Sequence, residues 1–357
     1  MRIFQVVSTL SYGDGVGNDV LAIDKILKDA GYETAIYAKY IGKKVPKGAV
    51  FRISHMPQLN KNDIVLYHLA ISCTLNVEIQ KWDCKILIRY HNVTPAGFFS
   101  PYSLQIYRDC TTGIEQVKTL KDLPKYVLAD SGFNKSDLES YGYTCPIDVV
   151  PILIPFDDYN TSPNKELVEK YTDVWTNIIF VGRIAPNKKQ EDIIKAFTYY
   201  KKYINPMSRL IFVGSFDIND LYYQELVAYI KRLEVEDVIF TGHIKFDEIL
   251  AYYHLADIFL CMSEHEGFCI PLVEAMHFQV PIIAYDSTAI PFTMQGQGAI
   301  VDTKDPIFIA KLIDVIIKNK SVREELIAVQ NNIKKCYEYE TVKNVFLGFL
   351  KDFIEES

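Results

Sequence analysis

Short β-rich apolar runs alternate with longer helical segments along nearly the whole chain, and the alternation starts afresh after a proline-flanked stretch. In the first half the runs are Ile3–Val7, Thr34–Ala38, Ile64–His68, Lys85–Tyr90, Tyr126–Ala129 and Ile147–Val150, with helices such as Val16–Asp29 and Gly132–Ser140 between them. Strands alternating with helices predict βαβ units, hence parallel sheets. Val149-Val150-Pro151-Ile152-Leu153-Ile154-Pro155 then places two prolines four apart, which no helix interior accepts, and a hinge is expected there. After it come Ile178–Val181, Leu210–Val213, Val238–Phe240, Ile258–Cys261 and Val280–Ala284, separated by helices near residues 190–203, 220–233, 247–254 and 271–278. The expectation is α/β, two Rossmann-like domains facing across a cleft: residues 1–155, and residues 156–339, with roughly 340–357 crossing back to the first. A chain of 357 residues suits two such domains better than one.

The tail carries its own signal. Val342, Val345, Phe346, Phe349, Leu350, Phe353 and Ile354 form one apolar stripe on one helix. Docking on the chain's own core is the expected use. A membrane-surface or partner helix is the alternative, disfavoured because the polar face has few basic residues.

Composition narrows the function. Hydrophobic residues make up 49% and charged residues 23%, the balance of a folded soluble protein. Net charge is −7: the stretch through Pro155 has 17 basic and 15 acidic residues, a net of +2, against −9 for the rest. An acidic chain without a basic stripe is a poor nucleic-acid binder. Seven scattered cysteines, odd in number and without a C-x-x-C pair, speak for a reducing cytosol, with neither a disulfide framework nor a zinc site. The opening apolar run is too short for a signal peptide, and no stretch approaches 18 apolar residues. A cytoplasmic protein is expected, with a weak peripheral contact at the inner face of the membrane as a further expectation.

The most informative string is Ser263-Glu264-His265-Glu266-Gly267-Phe268-Cys269-Ile270-Pro271-Leu272-Val273-Glu274-Ala275-Met276, directly after an apolar run. Pro271 suits the first turn of a helix, where its missing N–H costs nothing. Gly267, Phe268, Cys269 and Ile270 can then turn backbone N–H groups toward a ligand at the helix's positive end, a ready anion site. Glu274 falls in the first turn, able to take two ribose hydroxyls. Glu266 falls at the strand end, the ligand side of a doubly wound sheet. A capped helix with acids near its start is the plain alternative for either glutamate alone. The second string is Phe180-Val181-Gly182-Arg183-Ile184-Ala185-Pro186-Asn187-Lys188-Lys189-Gln190. Arg183 as a fork and Lys188 as a point charge suit a diphosphate that gains negative charge as it leaves. Lys189 is expected to face solvent. A surface loop is the plain alternative.

Gly182-Arg183…Lys188 followed by Glu266-x7-Glu274 resembles the donor-binding half of the retaining glycosyltransferases of family 4, which have the GT-B fold. Thr241-Gly242-His243-Ile244 and Tyr252-Tyr253-His254-Leu255-Ala256-Asp257 resemble that family's pattern between the two motifs. The resemblance implies that the segment with His243 and Ile244 holds the nucleotide base through backbone groups. It is looser in the first half. There Ser11-Tyr12-Gly13-Asp14-Gly15-Val16-Gly17-Asn18 fails the G-x-G-x-x-G fingerprint in both frames, and no acid ends the second strand. The loop resembles the family's glycine loop instead, which implies Gly15 and Gly17 beside the donor phosphates, and departs from it in carrying Asp14. A tight turn without a ligand is the alternative. His91, in Arg89-Tyr90-His91-Asn92-Val93-Thr94-Pro95, lies where the family has an active-site histidine beside the donor sugar; a structural histidine is the alternative. Asp130-Ser131-Gly132-Phe133 resembles the family's serine-initiated helix, with capping as its expected job.

The resemblance implies a hexosyl transfer with retention, from a nucleotide-sugar donor to a carbohydrate or lipid-linked acceptor, in polysaccharide or glycoconjugate synthesis. His91 and Glu266 are the expected catalytic pair. Metal-dependent glycosyltransferases hold their ion with a D-x-D triplet, which this sequence lacks, since Asp157-Asp158 are adjacent. No metal and no other cofactor is expected. The rivals are a GT-B sugar-nucleotide epimerase and a non-catalytic sugar-nucleotide-binding subunit. Donor base, sugar, linkage and oligomeric state are not legible.

Overall fold

The computed structural model describes residues 1–11 and 13–356; Tyr12 of the glycine loop lies outside the described residues. Two parallel sheets organise the chain. The first is built from β1 (Arg2–Leu10), β2 (Glu33–Ile41), β3 (Phe51–Arg52), β4 (Ile64–Leu69), β5 (Lys85–Tyr90), β6 (Tyr126–Ala129) and β7 (Ile147–Val149). The second is built from β8 (Thr176–Val181), β9 (Ser208–Val213), β10 (Val238–Phe240), β11 (Ile258–Cys261), β12 (Ile282–Tyr285) and β13 (Ala299–Val301). Their orders are β3-β2-β1-β4-β5-β6-β7 and β10-β9-β8-β11-β12-β13. Each sheet reverses its winding once, between β1 and β4 and between β8 and β11. Within each sheet by itself, the loops leaving the carboxyl ends of its two strands flank the kind of crevice where doubly wound sheets take ligands.

Strands buried on both faces cannot alternate polar and apolar residues. Every residue of β4, β6, β9 and β11 is buried, which explains the continuous apolar runs read from the sequence. Helix Gly15–Asp29 is set off by Asp14, whose carboxylate accepts the Gly17 N–H at 2.6 Å, and it buries Val20, Ile23, Ile26 and Leu27. That capping accounts for the aspartate by which the loop departs from the family pattern. Gly17 has a reason of its own: a β-carbon there would lie 1.9 Å from the Ser11 carbonyl oxygen.

The chain divides into two compact units. The first comprises Met1–Gly97, Leu104–Pro155 and the chain from Cys336 on; the second comprises Phe98–Ser103 and Phe156–Lys335. Two boundaries differ from those read in the sequence. Phe98–Ser103 goes with the second unit, because Phe98 packs 6.2 Å from the His265 ring and Tyr102 meets Tyr222 edge-on at 5.2 Å. The return to the first unit begins at Cys336, a few residues early, where Tyr337 is already buried. Helix Tyr339–Glu356 buries Val342, Phe346, Leu350 and Phe353 against Ile3, Leu66, Leu87 and Leu128 of the first sheet. Phe349 and Ile354 are partly covered, and Val345 at the stripe's edge stays exposed. The stripe therefore serves the chain's own core. No helix among the described residues is long and apolar enough to cross a membrane.

Candidate functional site

In the second unit the two charged strings meet at the β8/β11 reversal. β8 ends at Val181 and delivers Gly182-Arg183; a short turn Pro186–Lys188 then brings Lys188 back over the sheet edge. β11 ends at Cys261 and delivers Ser263 to Ile270, where helix Ile270–His277 begins with Pro271 in its first turn. The loops are laced together. Asn187 Nδ2 donates to the His265 carbonyl at 3.0 Å, and the Glu264 N–H donates to the Asn187 carbonyl at 2.9 Å. The Glu266 N–H donates to Thr288 Oγ1 at 2.9 Å, and Ser287 Oγ to the Ser263 carbonyl at 2.6 Å. Lys189 and Cys269, neither of them glycine, sit in the left-handed region at φ 54° and 73°. Such backbone costs about 1–3 kcal/mol and persists where the surroundings demand it, often at ligand sites.

Lys188 Nζ lies 2.5 Å from Glu266 Oε2, with side chains 21% and 8% exposed. Burial draws the ammonium's pKa down, but the Glu266 carboxylate together with the nearby Cys269 and Cys261 sulfurs outweighs it and the balance is upward. Lys188 is thus a fixed cation beside the start of a helix. Arg183 is exposed, and its carbonyl accepts from Gln190 Nε2 at 3.2 Å. Glu274 is held by two phenols, Tyr159 Oη donating to Oε1 and Tyr253 Oη to Oε2, each at 2.7 Å. Burial pushes its carboxyl up in pKa and the two phenols pull it back. A carboxylate oxygen accepts more than one hydrogen bond, so both can still receive a hydroxyl from outside. His243 and Ile244 follow β10, His243 exposed and Ile244 half-buried, next to the Gly214–Gly242 bridge. Gly267, Phe268, Cys269 and Ile270 lead into the helix, with Phe268's carbonyl accepting from Thr293 Oγ1. Lys189 does not face solvent freely, since Glu191 and Glu264 each lie 3.4 Å from its Nζ. The two carboxylates, Glu191 in the first helical turn and Glu264 on the loop after β11, draw the ammonium in.

In the first unit His91 follows directly on β5, and the residues around it were not read from the sequence. His91 Nδ1 meets Asp130 Oδ2 at 2.8 Å, and His91 Nε2 meets His68 Nδ1 at 2.9 Å. The two rings stack at 5.2 Å. His68 Nε2 faces Gln5 Oε1 at 3.0 Å, and Gln5 Nε2 donates to the Val20 carbonyl, so the Gln5 oxygen is the acceptor. Burial drives the His68 imidazole well below its usual pKa, with His91 and Arg89 adding to it. Both ring nitrogens of His91 are therefore engaged inside the unit. Under this row lies Arg89, fully buried, bonded to Asp19 at 3.0 Å and close to Asp130 at 3.2 Å. Asp130 was seen only as the residue before a helix cap. Ser131 does cap that helix, accepting the Asn134 N–H at 3.1 Å. Gly15 and Gly17 open the helix that carries Asp19.

His265 is a further residue that sequence reasoning passed over. Burial lowers it to about 4, Glu266 acting the other way and Lys188 with the burial. It is a neutral ring at pH 7, next in sequence to Glu266. Two groups of side chains have metal-ligand spacing among the described residues: Asp19, His68 and His91, and Cys261, Glu266 and Cys269. In the first group Asp19 already accepts from Arg89 and from the Leu153 N–H at 2.9 Å, so its oxygens are committed.

Residues 173–334 match the family model described as glycosyl transferases group 1. Over 169 residues the chain is 24% identical to a "Serotype-specific mannosyltransferase WbdA" of Escherichia coli, covering 47% of this chain and 21% of that protein. Over 166 residues it is 26% identical to the "GalNAc-alpha-(1->4)-GalNAc-alpha-(1->3)-diNAcBac-PP-undecaprenol alpha-1,4-N-acetyl-D-galactosaminyltransferase" of Campylobacter jejuni, 46% of this chain and 44% of that one. The matched stretch thus spans less than half the length of these relatives. Among solved structures, sucrose-phosphate synthase from Thermosynechococcus elongatus superposes with a TM-score of 0.79 at 15% identity, covering 100% of both chains. At that identity the likeness is one of fold, and it bears out two Rossmann-like α/β domains of the GT-B type.

Proposed function

We propose that this chain is a retaining, metal-independent glycosyltransferase that moves a hexose-type sugar from a nucleoside diphosphate to a carbohydrate or lipid-linked acceptor. The observation that carries the reading is the Lys188–Glu266 pair, its carboxylate buried, at the β8/β11 reversal, beside the helix that holds Glu274 in its second turn rather than its first. The match of residues 173–334 to glycosyl transferases group 1 falls on the same stretch. In this reading Glu274 takes the ribose hydroxyls, and the segment with His243 and Ile244 takes the base. Arg183, Lys188 and the N–H groups from Gly267 through Phe268 and Cys269 to Ile270 take the diphosphate, with Gly15 and Gly17 bordering it. Glu266 and His91 serve the sugar, His91 by exchanging its hydrogen bond to His68 for one to the donor.

The charges suit the bond change. As the C1–O bond to the diphosphate breaks, negative charge grows on the leaving oxygen, and preorganised cations and N–H groups favour that state over the ground state. The acceptor oxygen bonds to C1 on the same face, and its proton passes to the leaving phosphate oxygen. No strong base is needed opposite the bond. A lipid-pyrophosphate acceptor gains support from the stretch Lys39–Lys61, which has six Lys and Arg and no Asp or Glu. It also fits the undecaprenol named for the Campylobacter relative.

The test is a panel of UDP-, GDP- and ADP-sugars against free and lipid-pyrophosphate-linked glycans, with and without excess EDTA. The expected product keeps the donor's anomeric configuration by NMR, and its rate is undiminished by EDTA. An inverted product refutes retention. Loss in EDTA with rescue by Mn²⁺ refutes metal independence, and an epimer formed from donor alone favours the epimerase.

Glu274→Gln is expected to weaken free-nucleotide binding by about 2–4 kcal/mol, the scale of two hydrogen bonds to a charged acceptor, while leaving kcat at saturating donor nearly unchanged. Calorimetry with the nucleotide set beside turnover checks this. Unchanged affinity removes Glu274 from the ribose.

A further inference from the structure

We propose that Cys261, Cys269 and Glu266 form an inhibitory site for a thiophilic divalent cation of the zinc and cadmium class. The inference concerns a ligand other than the sugar nucleotide, and rests on the proposed function only for its inhibitory consequence. The two sulfur atoms and a Glu266 oxygen all lie within 4.8 Å of one another, and all three residues are buried. Cys261 is the last residue of β11 and Cys269 the residue before helix Ile270–His277, so sheet and helix hold the sulfurs from opposite ends of one loop. Glu266 is pinned between them through its own N–H to Thr288 and through Lys188.

The geometry and the donor set agree on the kind of ion. Zinc bonds sulfur at about 2.3 Å and carboxylate oxygen at about 2.0–2.2 Å, so a tetrahedral ion needs ligand atoms somewhat under 4 Å apart. The present spacing of up to 4.8 Å has to contract by about 1 Å to reach it. Two thiolates and one carboxylate select a soft or borderline ion over Mg²⁺ or Mn²⁺, which prefer all-oxygen shells. Three protein ligands leave a fourth position for water. The charges also close: two thiolates and a carboxylate carry three negative charges, the ion two positive ones, and Lys188 supplies the last. Glu266 has two oxygens, one for the ion and one for the ammonium. The neighbouring Cys261 and burial hold the Cys269 thiol well above its usual pKa, so an incoming ion has to displace its proton. Loading converts two thiols and one divalent ion into two metal–sulfur bonds and releases two protons to solvent, with no redox change.

An ion so held takes Glu266 away from the sugar and ties the loop Gly267–Ile270 to the end of β11. It differs from a catalytic metal, because removing it should raise activity. The Asp19, His68 and His91 group carries no such argument, since Arg89 occupies Asp19.

The experiment uses the full chain stripped with EDTA, desalted and kept reduced. Cd²⁺ is titrated while thiolate-to-cadmium charge-transfer absorption and proton release are followed, on wild type and on Cys261→Ala and Cys269→Ser, each checked for folding by circular dichroism. Wild type is expected to bind one more ion than either variant and to release two more protons with it. Zn²⁺ should inhibit transfer by the wild type reversibly with EDTA. In Cys261→Ala the inhibition constant should rise by more than the about 10–100-fold seen on losing a mere outer-sphere partner. Equal cadmium binding and proton release in wild type and both variants overturns the site, whatever the chain catalyses. If the ion binds as described but no sugar is transferred by metal-free protein, the site stands and the proposed function falls. Binding with undiminished transfer overturns the inhibitory role.

Discussion

Lys188→Ala is expected to lower sugar-transfer turnover by roughly 10²–10³, the loss seen when one preorganised charge-stabilising group is removed. Lys188 is paired with a buried carboxylate at the β8/β11 reversal. Its side chain is 21% exposed and lies 2.5 Å from a carboxylate that is 8% exposed, so its position is set before any ligand arrives. Despite burial, Glu266 and the neighbouring Cys269 and Cys261 sulfurs keep the ammonium's pKa above its ordinary value, so the charge is present throughout the neutral range. Alanine removes that charge and also leaves Glu266 buried without a cation. The two effects separate in a double variant. Lys188→Met/Glu266→Gln should recover the melting temperature lost in Lys188→Met and recover none of the turnover. Arg183→Ala should lose turnover on the same scale with little change in melting, because its side chain is exposed. Turnover at saturating donor, nucleotide calorimetry and thermal melts of the four variants check the set. Near-native turnover with normal donor binding in Lys188→Ala would take the diphosphate away from this site.

Arg89→Leu is expected to destabilise the first unit by about 3–5 kcal/mol, the range for breaking a buried ion pair from one side. Arg89 is 0% exposed, and its guanidinium reaches three other parts of the unit. Nε and Nη2 reach Asp19 on helix Gly15–Asp29 at 3.0 and 3.3 Å, and Nη2 reaches Asp130 beyond β6 at 3.2 Å. Nη1 and Nη2 also donate to the Val150 and Pro151 carbonyls at 2.6 and 3.0 Å. Leucine fills part of the volume but leaves two buried carboxylates without a cation. Arg89→Lys should recover only part of the loss, since an ammonium cannot supply the planar fork. The two tryptophans fall one in each unit, Trp82 and Trp175. Urea unfolding of a Trp175→Phe background therefore follows the first unit through Trp82. A loss below about 1 kcal/mol, the range of a surface pair, would mean that this network does not hold the unit together.

The sequence alone was enough for the parts of this protein that depend on near neighbours. Continuous apolar runs between amphipathic segments wrote the two parallel sheets, because strands covered on both faces have no polar side to show. Pro271 and the residues before it gave the helix start of the second unit, and the stripe from Val342 to Phe353 gave the last helix, since each signal spans a few turns. The strand order and the partners of charged groups depend on distant parts of the chain. Lys188 and Glu266 are 78 positions apart, and Tyr159 and Glu274 are 115 apart. Lys188 and Glu266 meet because β11 crosses over to lie beside β8, which no local pattern states. The same holds for His68, His91 and Asp130, brought together by the adjacency of β4, β5 and β6, and for Arg89, whose burial is tolerable only beside Asp19. Phe98–Ser103 joined the second unit for a like reason: aromatic side chains go where rings can receive them, wherever the sequence has placed them. Composition could count those charges and rings, but a charge taken out of water needs a counter-charge within a few ångströms, and only the folded chain decides which one it meets.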